Sequence, residues 1–272
     1  MKKMPNSTAE FISKYIRSGD SNIAYRTIGR GQIICLLPSV ARGTEDLVTL
    51  ANLLFAQDYK VILPEPRGIN GSTGPLDNLL FEDVAKDILA VIEKEKSDEF
   101  PQAIVAGHAF GSMVARACAS ASPSSIKAII LLAAGGKNFA PELSQIINLL
   151  TEGSATLEEK IDMLAKAFFA SKEAVKPQWL EGWSPTLLAS QRHIRLTSDK
   201  STWWHAGDAP ILDVIGDQDP FRIPEQRMSL VSELGNRVTV EVVSDASHAL
   251  PDEKPNAVAH VMHTYIKSLN AS

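Results

Sequence analysis

The residues able to do chemistry in this chain fall in three short segments. The first is Gly107-His108-Ala109-Phe110-Gly111, which closes the apolar run QAIVAGH (102–108) and opens the amphipathic stretch GSMVARACASAS (111–122). Two glycines flanking a raised residue between a strand and a helix are the signature of a sharp elbow, because side chains at the flanking positions clash with the neighbouring elements. A serine at the raised position attacks carbonyl carbon. Position 109 is alanine, whose methyl group cannot attack.

The second segment, Asp217-Gln218-Asp219-Pro220, puts two carboxylates in a turn after APILDVIGD (209–217). Either carboxylate can orient an imidazole, and either can simply cap backbone N–H groups in the turn. The third, SDASHALPDEKP (244–255), sets His248 on the loop between the last strand-like run and the last helical run. An imidazole beyond the strand ends is placed for proton transfer. Five other histidines compete with it. His193 and His205 fall in a long helical stretch, His260 and His263 on the final helix, and His108 within the elbow, which it is expected to shape rather than to react from.

These segments need a scaffold. QIICLLPS (32–39), YKVILPEP (59–66), QAIVAGH, IKAIILLAA (126–134), APILDVIGD and RVTVEVVSD (237–245) are dense in Ile, Val and Leu, as strands covered on both faces are. Amphipathic stretches at 45–57, 81–96, 111–122, 224–235 and 256–269 alternate with them. That order predicts an α/β fold with a doubly wound, mostly parallel sheet and right-handed crossovers. From Gly136 to Ala206 helical periodicity continues without a strand run, and all four tryptophans, Trp179, Trp183, Trp203 and Trp204, fall there. This predicts a core in two parts, 1–135 and 207–272, with a helical cap over 136–206.

Composition excludes several classes. The 272 residues carry 27 Lys and Arg against 32 Asp and Glu, a net charge of −5 with no basic run, which does not suit nucleic acid. Cys35 and Cys118 are the only cysteines and lie far apart in apolar runs, so no disulfide framework or thiolate metal cluster is expected. No cofactor is expected, since the chain lacks a dinucleotide fingerprint after its first strand, a P-loop and metal-ligand spacings. The opening MKKMPNSTAEFISKYIRSGD has no continuous apolar core, and no later run approaches the length of a membrane span. A soluble, cytoplasmic protein with a small-molecule substrate is the expectation; the oligomeric state is not readable.

Taken together the segments resemble the α/β-hydrolase family over nearly the whole chain. LLPSVARG (36–43) stands where that family has its His-Gly oxyanion turn, and PEPRGINGST (64–73) resembles its Pro-Asp-x-Arg-Gly-x-Gly-x-Ser segment. Two departures stand out: Pro38-Ser39 replaces the His-Gly pair, and Ala109 replaces the elbow serine. A bacterial subgroup is similar in both respects. The resemblance selects Asp219 as the acid, with Asp217 as fallback, and implies that His248 is the base. It further implies oxyanion donors at the Phe110 N–H and in the Ser39–Val40 turn, with His108 beside them. Phe168, Phe169, Trp183 and Trp204 are expected to form an apolar wall. Ser112 reads as a helix-start hydroxyl, Arg42 and Glu45 as a local ion pair or ligand handle, and Arg67 as a loop brace.

Three functions are compatible with this reading. The first is an enzyme acting on a small, largely apolar carbonyl compound, by hydrolysis of an ester or lactone or by related lyase chemistry, through the His-Asp base and backbone donors without a serine. The second is a serine esterase carrying an engineered Ser-to-Ala change at position 109. The third is a protein that binds a small ligand without turnover.

Overall fold

A computed structural model describes residues 10–136 and 140–270. The first nine residues of the chain's opening and the start of the predicted cap, 137–139, lie outside the described residues. Eight strands form one sheet: β1 (Ile12–Ser18), β2 (Ser21–Ile28), β3 (Ile33–Leu37), β4 (Lys60–Pro64), β5 (Ala103–His108), β6 (Ile126–Leu132), β7 (Ile211–Gly216) and β8 (Val238–Val243). Their order across the sheet is β1-β2-β4-β3-β5-β6-β7-β8. Pairing is parallel from β4 to β8 and antiparallel where β2 meets β1 and β4.

Helices α1 (Val48–Phe55), α2 (Phe81–Glu95) and α3 (Phe110–Ala121) follow β3, β4 and β5, and α4 (Pro141–Glu152), α5 (Leu157–Ala167), α6 (Pro185–Thr197) and α7 (Lys200–Trp203) all lie between β6 and β7. The chain closes with α8 (Ser229–Leu234), α9 (Leu250–Glu253) and α10 (Pro255–Leu269). Every residue of β3, β5 and β7 is buried, because helices cover both sides of the sheet. One apolar layer packs α2 and α3 against one face, and a second packs α1 and α10 against the other. Cys35 and Cys118 are buried free thiols in the first of these layers.

The six apolar runs all become strands. The β1–β2 hairpin was not anticipated from them. Its β1 sequence, ISKYIRS, is mostly exposed, so it lacks the continuous apolar signal of its neighbours. A two-residue Gly19-Asp20 connection, with Gly19 at φ +57°, marks the hairpin instead. Glu95 at the end of α2 then ties it down, accepting from Lys14 at 2.7 Å and Tyr25 at 2.9 Å.

The helical segment between β6 and β7 is anchored to the loops beneath it. Arg42 is buried, chelates Asp46, and donates to the carbonyls of Glu181 and Gln178, both at 2.9 Å. Its guanidinium lies 4.5 Å from the Trp179 ring centre and 4.7 Å from that of Trp183. The expected Arg42–Glu45 pair does not form: Glu45 pairs with Arg26 at 3.1 Å, while Arg42 turns inward to Asp46 and the two indoles. Trp179 Nε1 donates to Asp252 at 2.9 Å, and the Ala249 N–H donates to Phe168 O at 2.6 Å, which ties the same segment to the loop after β8. Arg67 makes a two-pronged pair with Asp87 at 2.6 and 3.0 Å and so braces the loop after β4.

Candidate active site

The elbow forms at the end of β5. Ala109 has φ 48° and ψ −106°, a conformation that costs an L-residue on the order of 1–3 kcal/mol and persists only where its surroundings enforce it. The flanking glycines are the enforcement. A Cβ on Gly107 would stand 2.0 Å from Gly111 O, and one on Gly111 would stand 2.6 Å from Leu37 O. Gly107→Ala is therefore expected to cost on the order of 3 kcal/mol or more, read as a lowered urea midpoint with an unchanged m-value. Ser112 Oγ donates to Gly107 O at 2.6 Å, turning that hydroxyl back into the elbow rather than toward a substrate.

The turn after β3 carries its own strain, with Ala41 at φ 59°. Val40 in this turn and Phe110 at the start of α3 line the same cavity, one of about 90 Å³. The Phe110 N–H opens a helix, where no intrahelical acceptor exists. The Val40 N–H has no acceptor among the described residues. Two residues whose N–H groups have no acceptor among the described residues thus line one cavity together with Ala109.

His248 lines that cavity too. Its Nδ1 lies 2.9 and 3.1 Å from the two carboxylate oxygens of Asp219, which also accepts from the Phe221 N–H at 2.8 Å. A carboxylate only accepts, so Nδ1 carries the proton and Nε2 presents a lone pair. No protein group bonds Nε2 among the described residues. Phe221 packs against the imidazole at 4.2 Å and Phe168 at 5.7 Å between ring centres, which limits the ring's freedom. Asp219 is itself held: the buried Arg222 on the same loop donates to Asp213 of β7 at 2.8 Å and to Ala134 O at 3.2 Å. Asp217 is the wrong choice for this partnership, since its Oδ1 accepts from the Ala246 N–H at 3.3 Å and only caps the loop.

His108 sits behind the site. Its Nε2 lies 2.7 Å from His248 O, and a carbonyl only accepts, so Nε2 carries the proton. Burial, and then the neighbouring His248 and Arg42, push its pKa down to about 3. It is a neutral strut under His248 rather than a residue of the cavity lining, which corrects its expected place beside the expected oxyanion donors. Ser39 is likewise off the lining, buried with an unbonded hydroxyl.

The expected aromatic wall is also corrected. Trp204 has its N–H on Glu233 at 2.7 Å and its ring covered by Arg116 at 4.2 Å and Lys200 at 3.7 Å, all away from the cavity. Trp183 donates to Trp179 O at 2.8 Å and packs on Arg42, and Phe168 and Phe169 are buried in the anchoring cluster. An indole N–H needs a partner when buried, and these found theirs in backbone and charge rather than at a cavity rim. The wall is instead Met113, Ile147, Leu188 and Phe221, with Ser144, Gln191, Arg192 and Arg195 as its polar part. Residues 188, 191, 192 and 195 follow the i, i+3, i+4, i+7 spacing of one helix face, a signal available in the sequence but masked by its mixed polarity.

A family model described as the alpha/beta hydrolase family matches residues 43–261. The chain belongs to the α/β-hydrolase family. Among solved structures this α/β-hydrolase is similar to a thermophilic esterase from Thermogutta terrifontis, at TM-score 0.73 and 18% identity, covering 97% of this chain and 99% of that one. It is similar also to a serine-to-alanine mutant of the meta-cleavage product hydrolase from Pseudomonas fluorescens, at TM-score 0.75 and 17% identity over 94% and 97% of the two chains. An epoxide hydrolase matches at TM-score 0.72 and 18% identity over 96% and 100%. Identities this low speak to the fold. Comparison with curated protein sequences gave no match. Among the described residues no group of three or more His, Cys, Asp or Glu side chains is placed to hold a metal ion, and no helix is long and apolar enough to cross a membrane.

Proposed function

We propose that this protein is an enzyme that hydrolyses a small carbonyl compound of the ester or lactone type without a covalent intermediate. The reading is supported by the Asp219–His248 pair at 2.9 Å and by His248, Val40 and Phe110 lining one cavity. In the proposed cycle Nε2 takes a proton from water, and the hydroxide formed adds to the carbonyl carbon. The oxyanion rests on the Val40 and Phe110 N–H groups, and the imidazolium, steadied by Asp219, returns its proton to the leaving oxygen. The same equipment suits proton abstraction next to a carbonyl, the first step of related lyase chemistry.

A second reading, a serine hydrolase whose nucleophile has been replaced, draws on the strained backbone retained at Ala109, which an alanine does not require. One experiment separates the two. Turnover of a small ester and lactone panel is measured for the protein, for Ala109→Ser and for His248→Ala. Activity in the unchanged protein that is lost with His248 supports non-covalent base catalysis. An inert parent beside an Ala109→Ser variant that turns over and takes a fluorophosphonate label supports the second reading. Inertness of all three supports a ligand holder.

A further inference from the structure

The cavity is lopsided in charge. Its apolar lining includes Met113, Ile147 and Leu188, while α6 beyond Leu188 contributes Gln191, Arg192 and Arg195, and among the described residues no Asp or Glu lines the cavity. Gln191 is buried, and its Oε1 accepts from the Ala41 N–H at 2.7 Å. That bond fixes the amide's orientation, because an N–H cannot donate to the NH2 group. The Gln191 NH2 is left with two donors and no acceptor among the described residues. Arg192, half-buried, and Arg195, exposed, also have no hydrogen-bond or ion-pair partner there, unlike Arg26, Arg42, Arg67 and Arg222, each of which meets a carboxylate.

A half-buried guanidinium without a counter-ion costs free energy that a bound anion recovers, and its planar fork matches a carboxylate. We propose that the compound held in this cavity carries a carboxylate, bound by Arg192 with Arg195 at the mouth and steered by the Gln191 amide. The rest of the molecule lies along the apolar side, so that its reacting carbonyl reaches Val40, Phe110 and His248. This deepens the reading above and rests on the cavity being the substrate site. It narrows the substrate to a carboxylate-bearing carbonyl compound, such as the monoester of a dicarboxylic acid.

The test is binding, which requires no turnover. Affinities of 3-phenylpropionate and its neutral amide, 3-phenylpropionamide, are measured by calorimetry at low and high salt for the protein, Arg192→Ala, Arg192→Lys and Arg195→Ala. The carboxylate is expected to bind roughly tenfold or more tightly than the amide, as charge-assisted hydrogen bonds imply. Arg192→Ala should abolish the preference, Arg192→Lys should keep part of it, and Arg195→Ala should reduce mainly its low-salt component. Equal affinity for the two probes, no binding of either, or a preference that survives Arg192→Ala overturns the proposal. Because these outcomes are read without catalysis, they differ from failure of the hydrolytic reading, which shows as turnover indifferent to His248.

Discussion

His248→Ala is expected to lower ester or lactone turnover by roughly 10²–10⁴-fold, the usual contribution of a positioned general base. The direction follows from geometry. His248 lines the cavity, and use of its Nε2 as proton acceptor depends on Nδ1 donating to Asp219 at 2.9 Å. Removing the imidazole leaves the Val40 and Phe110 donors in place, so a residual rate above that in water should remain, and the loss should fall on kcat more than on KM. Asp219→Asn is expected to act in the same direction. Its amide can donate to Nδ1, which then gives up its proton and leaves Nε2 protonated and unable to act as a base. Initial rates over the ester panel, with circular dichroism to confirm the fold, check both variants. A His248→Ala protein as active as its parent removes the base from the account.

Acid is expected to destabilise this protein through His108, and His108→Gln is expected to relieve it. The sign follows from linkage. In the unfolded chain the imidazole binds a proton below its ordinary value of 6.5, whereas in the fold burial, His248 and Arg42 delay protonation to about 3. Between those values the unfolded state holds one more proton than the native state, so stability falls as pH falls, by about 1.4 kcal/mol per pH unit. From pH 6.5 to about 4.5 the loss is about 2 kcal/mol, a large part of a domain's typical stability. Glutamine can still donate to His248 O but binds no proton, so the difference between protein and variant isolates the contribution of residue 108. Urea midpoints at stepped pH provide the measurement; parallel pH curves for the two proteins contradict the assignment of His108 as a buried neutral strut.

The anchoring of α6 links these chemical expectations to the fold. Gln191 joins the helix to the turn that presents the Val40 N–H, and Arg42 joins the segment at Gln178–Glu181 to the same turn. The α6 face lining the cavity and the Val40 turn are therefore mechanically linked, and a change at Gln191 is expected to be felt at both.

Much of this was written in the sequence. Five of the six runs of Ile, Val and Leu become strands that are almost wholly buried, because apolar residues on both faces of a strand are stable only under helices, whereas the sixth forms β8 at the sheet edge, where half of its residues are exposed. Gly107 and Gly111 specify the elbow because a Cβ has no room at either position. Asp219 and His248 were legible as loop residues beyond strand ends, 29 residues apart and placed side by side by two neighbouring parallel strands, β7 and β8. β1 was illegible to a search for apolar runs, since an edge strand open to solvent has no need of one, and β2, though mostly buried, interrupts its apolar residues with Asn22, Arg26 and Thr27.

Side-chain direction at the cavity was decided by tertiary structure. An aromatic residue satisfies the same apolar sequence pattern whether it lines a cavity, as Phe221 in the loop after β7 does, or packs behind one, as Phe168 at the end of α5 does. Arg42 and Trp183 found each other, Trp204 found Glu233, Arg116 and Lys200, and the cavity was left to Met113, Ile147, Leu188 and the donors of α6. Those choices depend on which partners the crossing of distant elements brings within reach, a long-range property that local spacing does not encode.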